Sequence, residues 1–102
     1  MKEIKMLMEH VEDELKDAHT YAELALEYKE ADPETAELFY KLSGEEMNHM
    51  NVLHKAVVRH IEEYRRQKGE PPEAMMAVYE YLHKRDIEKA ENVGVLQGMY
   101  KR

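Results

Sequence analysis

Asp32-Pro33-Glu34 breaks the chain into two long helical stretches and sets the direction of everything after it. Asp32 suits an N-cap. Pro33 fits the first helical position, where its missing N–H has no partner to lose, and Glu34 complements the positive end of the helix dipole. A helix therefore restarts at Pro33. Upstream, from about Lys2 to Ala31, there is neither Pro nor Gly. Ile4, Met8, Val11, Leu15, Ala18, Ala22 and Ala25 recur there at alternating four- and three-residue steps, the spacing of one helix face. The link is so short that the second helix must fold back antiparallel on the first.

That second helix is expected from Pro33 to about Lys68, stopping at Gly69. At 1.5 Å per residue it is roughly 54 Å long. Glu70-Pro71-Pro72 breaks the chain again, and a third helix should run from about Pro72 to Tyr100, with Gly94 and Gly98 loosening its last turns. No strand pattern appears. The expected fold is all-α: a long antiparallel hairpin plus a third helix, forming a single helical domain over residues 1–102.

Composition narrows the function. Charged residues make up 36% of the 102 and hydrophobic ones 43%, the balance of amphipathic helices rather than of disorder. A chain this short buries a thin core, so oligomerisation is a natural supplement. The absence of Cys excludes disulfides, thiolate-ligated zinc, iron–sulfur clusters and thiol catalysis. A net charge of −7 spread along the chain argues against nucleic-acid binding, which needs a basic stripe. No apolar run is long enough for a signal peptide or a membrane span, so the expected address is the cytoplasm.

The informative residues are acids on the wrong face. At about 100° per residue, Glu9, Glu12, Asp13, Asp17, Glu23, Glu27 and Glu30 lie outside the apolar arc of the first helix. Glu14 lies inside it, flanked by Leu7, Val11, Ala18 and Tyr21. The second helix repeats the anomaly: its arc holds Phe39, Leu42, Met50, Leu53, Val57, Ile61 and Tyr64, with Glu46 at the centre and His49 and His60 within it. An unpaired buried carboxylate is costly enough to protonate, pair or bind a cation. Folding about Asp32 sets residue i roughly level with residue 64 − i. Glu14 then lies opposite His49 and Met50, with Glu46 one turn away and Gly44 allowing close backbone approach. Two carboxylates and one imidazole suit iron or manganese better than zinc or copper.

Eighteen Glu and six His yield about one Glu-x-x-His pair by chance, and this chain has two, so position must decide between them. Glu80 of the second copy falls off the face of the third helix, which centres on Met75, Leu82, Val93 and Tyr100. Glu80 and His83 are therefore not expected as ligands. His60 reads as a structural histidine near Glu3 and Ile4, and His10 as a rim histidine one turn before Glu14. His19 and His54 flank the core faces without a pattern. Asp86, inside the third helix's arc, is expected to pair with Arg or His across an interface. The competing reading of Glu14, Glu46 and His49 is a buried polar cluster that fixes how helices pair in a non-enzymatic assembly or adaptor protein.

Glu14, Tyr21, Ala25, then Ala36-x-x-Phe39 and Glu46-x-x-His49 resemble the first helix pair of rubrerythrin-type ferritin-like proteins, over about Val11 to Tyr64. The resemblance implies a di-iron or di-manganese carboxylate site in a four-helix bundle, with zinc also possible. It makes Glu46 a bridging ligand, Glu14 a terminal or bridging one and His49 a terminal one, with Tyr21 placed to support them. His10, by its place one turn before Glu14 and not by the resemblance, is the other candidate for a supporting role. This chain has one hairpin rather than two, so two copies would pair to complete the site, as in the small ferritins housed in encapsulin shells. The implied activity is oxidation of Fe(II) by O₂ or peroxide in a homodimer or larger homo-oligomer. Without Cys for a rubredoxin-like donor, electrons would come from an external partner.

Overall fold

The computed structural model describes residues 2–102. They form three α-helices, α1 (Lys2–Tyr28), α2 (Pro33–Lys68) and α3 (Glu73–Lys101), with no strand among the described residues. None of the helices is long and apolar enough to cross a membrane. α1 stops at Tyr28, short of the expected Ala31, because the reversal consumes backbone there: the Asp32 N–H closes the turn on the Tyr28 carbonyl at 2.9 Å. The Asp32 carboxylate then accepts from the Thr35 N–H at 3.1 Å and from its hydroxyl at 2.6 Å, and these bonds hold its pKa below the usual value. At the far end of α2, Gly69 adopts φ +84°, a conformation that side-chain-bearing residues avoid, and donates to the Arg65 carbonyl at 3.1 Å.

The molecule measures 55 × 18 × 17 Å, so its long axis is the length of α2. Ile4, Val11, Leu15, Ala18, Ala22 and Ala25 of α1 are buried against Ala36, Val57 and Ile61 of α2, while Met8 is half-buried. Near the turn the seam is built mostly of alanine, which lets the two backbones come close. Gly44 does not share that role, contrary to expectation. A Cβ built there would meet open space. The residue at the tight crossing is Ser43, fully buried, whose hydroxyl donates to the Ala18 carbonyl at 2.8 Å.

α3 lies chiefly along α1 and meets α2 at few points. Val93 is its fully buried anchor. Gln97 donates to the Ser43 hydroxyl at 2.9 Å, the Tyr100 hydroxyl donates to Glu37 at 2.7 Å, and the Tyr100 ring stacks on Tyr40 at 4.8 Å. Lys29 reaches the Met99 carbonyl at 3.4 Å. Near the middle, the ring of His83 stacks between His54, at 4.8 Å, and Tyr79, at 5.7 Å.

Asp86 departs from expectation. It is 9% exposed and faces another acid, Glu12 of α1, rather than Arg or His. Lys89 bonds the other oxygen of Glu12, and the Arg85 guanidinium sits over the Tyr81 ring, 5.8 Å from its centroid. Glu12 Oε1 and Asp86 Oδ1 are both buried without a donor, so a single proton held between them satisfies both atoms. Burial, then the hydrogen bond to Glu12, pushes Asp86 up to about 7. Glu12, bonded by Asp86 and Lys89, is held below the usual carboxylate value. Glu12 does lie off the hairpin seam as its wheel position indicated, but it lands beneath α3 rather than in solvent.

Candidate metal centre

Glu12 and Glu14 are two residues apart, about 200° around α1, so they leave the helix on opposite flanks. Glu12 serves α3, and Glu14 faces the side that α3 leaves open. Across the hairpin, one turn of α2 presents Glu46 and His49 to the same side, because residues three apart share a helix face. His49 Nδ1 lies 3.6 Å from Glu14 Oε2 and 3.6 Å from Glu46 Oε1. One ligand atom from each of the three residues falls within 4.8 Å of the other two. The carboxylate side chains are 24% and 18% exposed, and the imidazole is 59% exposed, which makes it the door of the cluster.

Glu14 Oε2 is buried and has no hydrogen-bond donor. A dry, unpartnered carboxylate oxygen beside a second carboxylate is an arrangement that a cation relieves. A cation with bonds of about 2.1 Å spaces its neighbouring ligands by about 3.0–3.4 Å. The two His49 pairs, at 3.6 Å, lie close to that spacing, while the trio as a whole, within 4.8 Å, must draw together to close around one. The donor set of carboxylate oxygens with one imidazole nitrogen fits iron or manganese.

Around the trio the open face is largely apolar. Leu7, Leu42, Met50 and Leu53 are half-buried there. The Phe39 ring stacks with Tyr21 at 6.0 Å and Tyr28 at 6.1 Å. Tyr21 is thus part of an aromatic layer towards the hairpin turn, and His10 is exposed. The second Glu-x-x-His is split by the fold, with Glu80 exposed and His83 in the stack against α2. His54, which carried no readable pattern, has its Nε2 buried without a partner beside that stack.

No protein-family model, curated protein or solved structure matches the chain.

Proposed function

We propose that the chain is a ferritin-like metal-binding protein in which two hairpins pair through the faces bearing Glu14, Glu46 and His49. Together they would hold a carboxylate-bridged di-iron centre that oxidises Fe(II) with O₂ or peroxide. The observation that carries this reading is the convergence of the three side chains around a buried Glu14 oxygen that accepts no hydrogen bond. Glu46 is the bridging ligand, Glu14 a terminal or bridging one, and His49 binds through Nδ1, the nitrogen turned toward both carboxylates. Bound iron would supply the redox chemistry; manganese or zinc could take the same donors. The four carboxylates of two chains would offset the charge of two cations and favour the more highly charged oxidised state. The surrounding Leu, Met and aromatic side chains would exclude water once a second hairpin covers them. An external donor would return electrons, since the chain has no thiol to do so.

A second reading is favoured by the same 3.6 Å distances. His49 between two carboxylates forms a hydrogen-bonded or ion-paired cluster, which could fix the pairing of a non-enzymatic helical assembly. Metal analysis of protein purified without a nickel column separates the two. About one iron per chain, lost in Glu46→Ala together with Fe(II) oxidation, supports the metal centre. A chelator that leaves the melting point unmoved, with iron oxidised no faster than in buffer, overturns it. A stable monomer at micromolar concentration would also sink the shared site.

A further inference from the structure

α3 carries a second row of side chains on the flank of its buried face, of which Val78, Arg85 and Asn92 also line the grooves between α3 and the hairpin. Val78, Tyr81, Arg85, Glu88, Asn92, Val95 and Met99 follow one another in steps of three and four, and all seven are exposed. The apolar members are well exposed: Val78 58%, Tyr81 63%, Val95 62% and Met99 44%. A three–four repeat of this length is the seam of a helix pair, about 31 Å long from Val78 to Met99. Its order is nearly the same from either end, with two apolar residues, a polar centre of Arg85, Glu88 and Asn92, then two more apolar residues.

We propose that this row is the pairing seam for α3 of a second copy of the chain, laid antiparallel about a two-fold axis near Glu88. In that arrangement Val78 meets Met99 of the second copy and Tyr81 meets its Val95, so apolar ends cover apolar ends. Arg85 lies opposite Asn92 of the second copy and within one turn of its Glu88, which forms the ion pair twice, once on each side of the axis. Glu88 faces its own copy across the axis in either orientation, but a parallel pair would also set Arg85 against Arg85, a like-charge contact that the antiparallel pair avoids. The antiparallel pair therefore has one like-charge contact fewer, with an Arg85 within one turn of each Glu88, and the polar centre fixes its register. The surface is self-complementary, as a two-fold interface requires. It shares no residue with the face bearing Glu14, Glu46 and His49, so it does not depend on the metal reading.

The chain has no cysteine, so single cysteines report on this seam directly. Under mild oxidation Glu88→Cys should cross-link to itself. Val78→Cys alone and Met99→Cys alone should not, whereas a mixture of the two should. Self-linking of all three single variants would show a parallel pair and overturn the proposal, as would no cross-linking in any sample. Val95→Asp, a change at an exposed position, should halve the sedimenting mass while helicity and metal content per chain stay as in the wild type. That halving is expected whether the wild type is a tetramer using both surfaces or a dimer using this one. Failure of the hairpin pairing would appear separately, as loss of metal. An unchanged mass in Val95→Asp, or a monomeric wild type, leaves the row to a different partner and overturns pairing with a second copy.

Discussion

Ser43 of α2 donates its hydroxyl to the carbonyl of Ala18 in α1 at 2.8 Å, a buried bond across the hairpin seam. The same oxygen accepts from Gln97 of α3 at 2.9 Å, so a single buried atom touches all three helices. It is a donor to one helix and an acceptor from another, and both capacities are used.

Removing that hydroxyl leaves the Gln97 donor short of a partner. Ser43→Ala should therefore cost about 1–2 kcal/mol by chemical denaturation, with an unchanged denaturant slope. Ser43→Val should cost more, because two methyl groups must enter a site with no free surface. Gln97→Ala should add less in the Ser43→Ala background than alone, which a double-mutant cycle would read as coupling.

Asp86 gives the docking of α3 a pH dependence. Its ordinary value is 3.8 and its folded value about 7, so the folded state holds a proton that the unfolded state releases. The associated stability is complete below about 3.8 and is lost as pH rises through about 7. Asp86→Asn keeps the hydrogen bond to Glu12 and removes the titration. Its melting point should exceed that of the wild type at pH 8 and converge with it at low pH. Parallel melting curves for the two proteins would show that the Glu12–Asp86 contact is not the source.

His54 acts with the opposite sign. Burial, then the nearby His83, lowers its pKa from 6.5, so its contribution is present above 6.5 and is lost as pH falls through the folded value. His54→Phe keeps a ring against His83 but cannot charge. It should be more stable than the wild type at pH 5 and little different at pH 8, as thermal melts at the two pH values would test.

In the apo protein, the Glu14 oxygen is buried without a hydrogen bond beside the Glu46 carboxylate. Glu14→Gln and Glu46→Gln should each raise the melting point in chelator by about 4–8 °C, corresponding to about 1 kcal/mol. With Fe(II) present the order should reverse, because a ligand that binds only the folded state stabilises in proportion to its affinity. If neither substitution raises the chelator melting point, the two carboxylates do not strain the apo fold.

Glu80 and His83 test the choice between the two Glu-x-x-His pairs. Glu80→Ala should leave both stability and metal content unchanged. His83→Ala should leave metal content unchanged but lower stability, since it removes the ring between His54 and Tyr79. Loss of half the metal in either variant would bring α3 into the site.

The hairpin was legible because its signals are local. Asp32 caps α2 through bonds to Thr35, Pro33 sits in the first turn where it has no N–H to leave unpaired, and the four–three row from Ile4 to Ala25 is a property of one helix. The meeting of Glu14 with Glu46 and His49 followed from that fold-back alone, so it too was within reach. What could not be read was anything that depended on where α3 lies. Glu12 sits on a flank that a lone hairpin would leave wet, and only the third helix turns it into a partner for Asp86. Asp86 was visible as an acid inside an apolar arc, but that arc says nothing about the chemistry facing it. Ser43 was missed because a small hydroxyl residue beside Gly44 carries no periodic signal.

The bonds that fasten α3 all span long stretches of chain: 54 positions between Ser43 and Gln97, 63 between Glu37 and Tyr100, 70 between Lys29 and Met99, and 77 between Glu12 and Lys89. The hairpin closes around a turn at Asp32, with contacts that begin only a few residues apart. Closing short loops is fast and closing long ones is slow, so the hairpin forms before α3 docks. The face bearing Glu14, Glu46 and His49 is therefore in place first, and the arrival of α3 completes the molecule from behind. Pulse-labelled hydrogen exchange during refolding should show α1 and α2 amides protected ahead of those in α3.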